Sequence, residues 1–200
     1  MNPDIIIYDN IRKYVGLPFD VYLQLPGMSH SWLKNERNGV SERVFETENM
    51  TLGKLVDGIL TEPATVDIKS HLYPAAKAIA AKIREKYGHM LPRFEAQVCF
   101  TATIHYKGFS LDVKGRLDYL FGRWAVIDLK VTQSKDMVGV IKHMGYENQL
   151  WHYSKMAEVP VSYLMSHSVP LKDTKIFTMP VPEYNHFWAE AVLNHGKIAA

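Results

Sequence analysis

Between Glu95 and Val131 the chain reads in period two, in three runs separated by very short turns, and this stretch constrains the fold more than any other. The runs Glu95 to Ile104, Phe109 to Leu120 and Trp124 to Val131 are rich in Val, Ile, Phe, Tyr and Trp. Tyr106-Lys107-Gly108 and Phe121-Gly122-Arg123 are too short for crossover connections, so the runs must pair as a three-stranded antiparallel meander. Helical spacing flanks it. Leu52, Leu55, Val56, Ile59 and Leu60 share one face of a helix that begins at Thr47 or Asn49 and stops at Pro63. Residues Tyr73 to Tyr87 form a second helix, opened by Pro74 and closed by Gly88. Beyond the meander, Tyr146 to Ala157 reads as helix, Val161 to Ser166 and Lys175 to Val181 as short strands, and Glu183 to Ile198 as a terminal helix. The expected class is α/β, a small mixed sheet flanked by helices.

Residues 1 to 47 hold Pro3, Pro18, Pro26, Gly16, Gly27 and Gly39 between short mixed segments, and read as an irregular N-terminal arm. One helix is expected there, capped by Ser29 or Ser31 ahead of Trp32-Leu33-Lys34 and ended by Gly39. No internal repeat or long linker divides the chain, so residues 1 to 200 are expected to form one domain. With 47% hydrophobic and 22% charged residues, disorder and minimal disulfide-stapled folds are excluded. The single cysteine, Cys99, rules out an internal disulfide, a four-cysteine zinc site and a cysteine-ligated iron–sulfur cluster within one chain, and reads as a buried small hydrophobe. Without a signal-peptide pattern or an apolar run near the ~18 residues of a membrane span, the expected location is cytoplasmic, with no membrane contact. A net charge of +2 offers no global basic field, so any contact with nucleic acid must be local.

The chemistry concentrates in Gly115-Arg116-Leu117-Asp118-Tyr119-Leu120 and Val126-Ile127-Asp128-Leu129-Lys130-Val131. With the turn centred on Arg123, Asp118 and Asp128 are equidistant from it and face each other across the hairpin, where opposed Cβ atoms stand about 5 Å apart. Lys130, two residues beyond Asp128, lies on the same face. Opposed like charges in an apolar strand are costly as pure structure. A hard divalent cation removes the repulsion, and Mg²⁺ uses one or two protein carboxylates while keeping water and phosphate oxygens. With a lysine beside it, such a pair suits phosphodiester hydrolysis. The alternative is a surface hairpin whose Asp and Lys form an exposed ion pair worth about 0–1 kcal/mol.

Asp118 followed ten residues later by Asp128-Leu129-Lys130 in an apolar strand resembles the signature of PD-(D/E)XK nucleases. Gly53-Lys54-Leu55-Val56-Asp57, running on to Glu62-Pro63, is similar to a helix motif of RecE-type exonucleases. Gln149-Leu150-Trp151-His152-Tyr153 matches the Gln-x-x-x-Tyr motif that they share with lambda exonuclease, and Ser29-His30-Ser31-Trp32-Leu33-Lys34 resembles their serine-rich opening. The four motifs occur in order across residues 29 to 158. The resemblance is to a RecE-like, lambda-exonuclease-like phage recombination exonuclease.

That resemblance implies a restriction-endonuclease-like sheet and a Mg²⁺-dependent deoxyribonuclease, with Mn²⁺ as a substitute, that resects duplex DNA ends for phage or prophage recombination. Asp118 and Asp128 correspond to metal-binding carboxylates and Lys130 to the catalytic lysine. Asp57 stands where these enzymes place a metal-binding histidine, a departure that bears on metal preference, since a carboxylate suits a hard cation. Gly53, one turn earlier, implies close packing of that helix on the sheet. Glu95 is a further metal or DNA ligand, or else a solvated strand-edge charge. Gln149 supports the site. Tyr153, one turn along the same helix face, borders the DNA or packs in the core. Ser29, Ser31, Lys34 and Arg37 would gather a DNA phosphate, or else amount to a helix cap with basic neighbours. Trp32 or Trp151 would wedge DNA ends, while His71, His105, His143, His152 and His167 read as structural or surface groups. A homo-oligomer and a single-strand annealing protein are the implied partners. Two other readings stay open, a structure- or site-specific endonuclease on the same fold and a catalytically silent DNA-binding or assembly module.

Overall fold

The computed structural model describes residues 5–39 and 47–198. In chain order its elements are β1 (Ile7–Tyr14), α1 (Phe19–Gln24), α2 (His30–Arg37), α3 (Glu48–Thr61), α4 (Tyr73–Tyr87), β2 (Glu95–Tyr106), β3 (Phe109–Phe121), β4 (Ala125–Thr132), α5 (Met137–Met144), α6 (Tyr146–Met156), β5 (Val161–Ser168), β6 (Asp173–Met179), α7 (His186–His195) and β7 (Lys197–Ile198). The sheet runs β1-β2-β3-β4-β5-β6, with β7 against β3. Every pairing is antiparallel except β4–β5. That one parallel pair needs a crossover, which α5 and α6 supply.

The meander is present as expected, and its turn residues set its register. Tyr119 pairs with Ile127 and Phe121 with Ala125, so the hairpin is centred on Arg123. The N-terminal arm departs from the expectation. It contains two helices and a strand, and β1 adds to β2 as a fourth antiparallel strand. The expected terminal helix over Glu183 to Ile198 is shorter, α7 ending at His195 so that Lys197 and Ile198 pair with β3.

Two cores lie on the two faces of the sheet. On one, Leu52, Leu55, Val56 and Ile59 of α3 meet Ala76, Ile79, Ala80 and Ile83 of α4 and pack on Tyr119, Ile127, Leu129 and Met165. Each Leu, Ile or Val buried there contributes about 1.5–3 kcal/mol. Thr47 caps α3 by accepting from the Met50 N–H at 3.3 Å, and Pro63 follows its end. On the other face Leu150, Trp151, Tyr153 and Met156 of α6 and Phe187, Trp188 and Val192 of α7 cover Val98, Phe100, Leu117, Val126 and Leu164. Cys99 is fully buried, as expected of a small hydrophobe. Gly115 lets α6 approach β3, because a Cβ there would meet Met156 Cε and lie 2.8 Å from Tyr153 Cε1. Gly115→Ala should therefore cost about 1–3 kcal/mol in urea unfolding. A wild-type midpoint would show that α6 is not held this closely.

Three histidines are buried, and two of them join the packing under α7. The His152 ring stacks on Trp188 with centroids 3.9 Å apart, and His30 lies 5.1 Å from Phe187. Burial first, then the Lys34 and Lys130 ammonium groups, lowers the His30 pKa to about 3. Burial also lowers His152 and His167. The unfolded chain protonates His30 near pH 6.5 and the folded chain only near pH 3, so the stability that the neutral ring carries is full above pH 6.5 and falls as pH drops towards 3. In that window His30 removes up to about 1.4 kcal/mol per pH unit. His30→Phe should lose less stability than wild type between pH 7 and pH 5 in urea titrations. Parallel pH profiles would contradict this.

Candidate active site

The hairpin pairing between β3 and β4 stops at Tyr119 and Ile127, one step before Asp118 and Asp128 would face each other. In place of a backbone partner, Leu129 N–H donates to Asp118 Oδ2 at 2.7 Å. The acid thus holds the splayed strand and stays beside its partner. Asp128 is 2% exposed on a strand with hydrogen-bonded neighbours on both edges, and Lys130 Nζ forms an ion pair with its Oδ2. Asp57 arrives from α3 on the opposite wall, its Oδ2 accepting from Gln97 Nε2 at 2.6 Å. Among the described residues, Asp57 Oδ1 is buried without a hydrogen-bond partner. Asp128 Oδ2 likewise makes no well-angled hydrogen bond and lies against the Lys130 ammonium.

These groups feel one another. Burial raises the Asp57 pKa to about 6, with Asp128 raising it further and the Gln97 amide, Lys130 and Arg116 opposing. Burial, then the Asp128 and Asp57 charges, raises Asp118 well above the usual carboxylate range. Burial alone would lower Lys130, but Asp128 and Asp118 outweigh it and hold the ammonium protonated. Lys130 also lies 5.3 Å from the centroid of the Tyr146 ring.

The cluster forms the floor of a cleft of about 960 Å³. Asp57, Asp118 and Lys130 line it, with α3 from one face of the sheet and α2, α5 and α6 from the other. Gln149 lines it too, and its Nε2 donates to the Tyr153 hydroxyl at 2.8 Å. Among the described residues no three His, Cys, Asp or Glu side chains are grouped closely enough to enclose a metal unaided. Asp118 and Asp128, with the unpartnered Asp57 oxygen, instead offer the incomplete carboxylate set that suits a Mg²⁺ keeping water or phosphate ligands. The donor chemistry fits a hard cation.

The other candidates divide. Ser31 and Lys34 line the cleft, with Lys34 Nζ donating to the Met144 carbonyl at 2.8 Å. Ser29 is the cap of α2, accepting from Trp32 N–H at 3.2 Å. Arg37 turns away to Glu190 at 3.2 Å and to the Phe187 ring. Tyr153 is 7% exposed and does not line the cleft, its hydroxyl accepting from Gln149, which does. Glu95 is a correction. Its carboxylate holds Lys13 at 2.7 and 2.8 Å and does not line the cleft. Trp151 is fully buried with its indole N–H on the Pro182 carbonyl, which excludes it as a wedge, whereas Trp32 is partly exposed beside His195. The expected close packing of α3 on the sheet at Gly53 is also overturned, because among the described residues a Cβ there meets nothing within 4 Å. Of the histidines read as structural or surface groups, His152 and His167 are buried, while exposed His143 lines the cleft.

Gln97 is the residue that sequence reasoning missed. The β2–β3 partners always sum to 215, so Gln97 stands opposite Asp118, yet the two are unpaired and Gln97 has a φ of 54°. Here the strands exchange faces. Val98 and Leu117 pack in one core, Ala96 and Tyr119 in the other. The twist delivers Asp118 to the lining of the cleft and the buried Gln97 amide to Asp57 behind it. The arithmetic of the Lys107-Gly108 turn was available to find it.

No protein-family model matches the chain, and no curated protein is significantly similar to it in sequence. Among solved structures, a protein from Eubacterium rectale described as a candidate exonuclease superposes with a TM-score of 0.60 at 16% identity, covering 90% of this chain and 82% of that one. The protein SSO0001 is also 16% identical, covering 84% of this chain and 80% of that one, and superposes less well, with a TM-score of 0.39. The likeness to the first shows the fold, a mixed sheet flanked by helices that is consistent with the restriction-endonuclease-like class.

The electrostatics of the floor can be tested without any ligand. Because the folded pKa of Asp118 is raised, the acid is tolerated at low pH and its stabilising proton is lost as pH rises through that pKa. In metal-free buffer at pH 8, Asp118→Asn keeps an acceptor for Leu129 N–H and should raise stability by about 1–2 kcal/mol in denaturant titrations. A loss of stability would mean that the charge itself holds β3 to β4.

Proposed function

We propose that the chain is a metal-dependent deoxyribonuclease that hydrolyses DNA phosphodiester bonds, an exonuclease of the RecE-like kind resecting duplex ends. The observation that carries this reading is the convergence of Asp57, Asp118, Asp128 and Lys130, from one helix and two strands, at the floor of an open cleft. Three buried carboxylates beside one lysine, with one Asp57 oxygen unpartnered, are expensive unless a further cation compensates them. The fold shared with the Eubacterium rectale protein described as a candidate exonuclease adds support.

Asp118 and Asp128 would hold Mg²⁺, or Mn²⁺ in its place, with Asp57 completing the set. When bound, the ion lowers the pKa of water and neutralises charge growing on the phosphate. The chain's own residues do the rest. Lys130 presents N–H donors beside Asp128, placed to orient an attacking water and stabilise the developing oxyanion. The Gln149 amide, its NH₂ group turned to Tyr153, keeps a carbonyl acceptor for that water. Leu129 N–H fixes one Asp118 oxygen so that the carboxylate cannot swing away.

End-labelled linear duplex and closed circular DNA incubated with Mg²⁺ test the proposal directly. Cleavage of linear DNA alone is the expected result, and cutting of circles would establish the endonuclease alternative. Asp128→Asn should abolish cleavage, and Mg²⁺ should raise the melting temperature of wild type but not of this variant. Retained Mg²⁺-dependent cleavage by Asp128→Asn would overturn the assignment. A wild-type chain that neither cuts nor responds thermally to Mg²⁺ or Mn²⁺ would establish the catalytically silent reading.

A further inference from the structure

Gly53 lies in the interior of α3, where glycine is a poor helix former because it loses more backbone freedom on folding than alanine. Packing usually explains such a residue. Gly58 on the same helix is confined, since a Cβ there would stand 3.0 Å from Val66 Cγ2. Gly139, which also lines the cleft, is confined by the Asp136 side chain that caps α5. Among the described residues, a Cβ at Gly53 would meet nothing within 4 Å. Of the two glycines lining the cleft, it is the one that the fold does not require.

Its place on the helix supplies the missing reason. Leu52, Leu55, Val56 and Ile59 bury one face of α3, while Met50, Gly53, Lys54 and Asp57 form a second stripe at i, i+3, i+4 and i+7, all lining the cleft. The stripe runs from exposed Met50 down to Asp57 at the catalytic floor. We propose that Gly53 is a clearance residue, kept bare so that the sugar-phosphate backbone of one DNA strand can pass against α3 on its way to Asp57. Lys54, next to the gap, faces the passing phosphates, and Met50 offers apolar surface at the mouth. The space that a side chain would occupy is the space the strand takes. This inference rests on the nuclease reading of the cleft and adds a residue that sets how closely the substrate approaches.

Thermal melts and fluorescence anisotropy with a fluorescein-labelled duplex carrying a single-stranded end, in Ca²⁺ in place of Mg²⁺, separate a structural role from a clearance role. Gly53→Ala should raise the melting midpoint by about 2–4 °C, because it removes the mid-helix glycine. The same variant should weaken DNA binding by about tenfold, and Gly53→Leu by more, with KM rising far more than kcat falls in Mg²⁺ assays. If wild type binds DNA and both variants bind it equally well, the clearance role is overturned while the nuclease reading stands. Binding lost only in step with lost thermal stability would also overturn it. If wild type neither binds nor cuts DNA, both readings fall together.

Discussion

Asp128 is the constraint around which the structure is organised. A carboxylate 2% exposed on an interior strand is tolerable only with compensating charge at hand, and the nearest is Lys130, two residues along the same face. A strand flanked by neighbours on both edges must take one of them from outside the meander, and β5 does so in parallel. The parallel pairing in turn demands the crossover of α5 and α6. That crossover sets Tyr146 over the Lys130 ammonium and carries Gln149 to the cleft. On the other side the same strand offers Ile127 and Leu129 to α3, and the helix that packs on them carries Asp57 to the floor. Burying one charged pair thus accounts for both walls of the cleft.

The meander and the α3–α4 pair were legible because long runs with a clear period repeat the same instruction many times. β1 was not legible, because an edge strand is half wet and shows little alternation, and Asn10 at φ 52° interrupts what there is. α5 was missed as a short helix whose start depends on Asp136 capping the Gly139 N–H, a signal of one residue. β7, at two residues, has no local signature, and only its contact with Phe109 and Ser110 makes it a strand.

At the site, symmetry about a turn succeeded where residue type misled. Counting outward from Arg123 brought Asp118 beside Asp128. Counting outward from Lys107-Gly108 brings Gln97 to Asp118, whereas the resemblance points to Glu95, whose charge belongs to Lys13 as a strand-edge group. The same error separates Arg37, drawn to Glu190, from Ser31 and Lys34, which face the cleft. A basic residue on a helix near a site is decided by its nearest acid, and that acid lay far along the chain on α7. The α3 motif, by contrast, placed Asp57 correctly, because a helix fixed by four buried aliphatic residues leaves little freedom in what its other face presents.

The charge balance of the cleft sharpens what the net charge of +2 left open. Lys34, Lys54 and Lys130 line it against Asp57, Asp118 and Asp136, with Asp128 beneath, so three lysines meet four carboxylates. Lys130 is committed to Asp128, and Lys34 donates to the Met144 carbonyl. Fields of this kind do not attract phosphate unaided. On the proposed metal-dependent reading, the carboxylates that cancel the lysines are the ones that would concentrate divalent charge at the floor. Affinity for the nucleic acid would then follow occupancy by the cation rather than the overall charge of the protein.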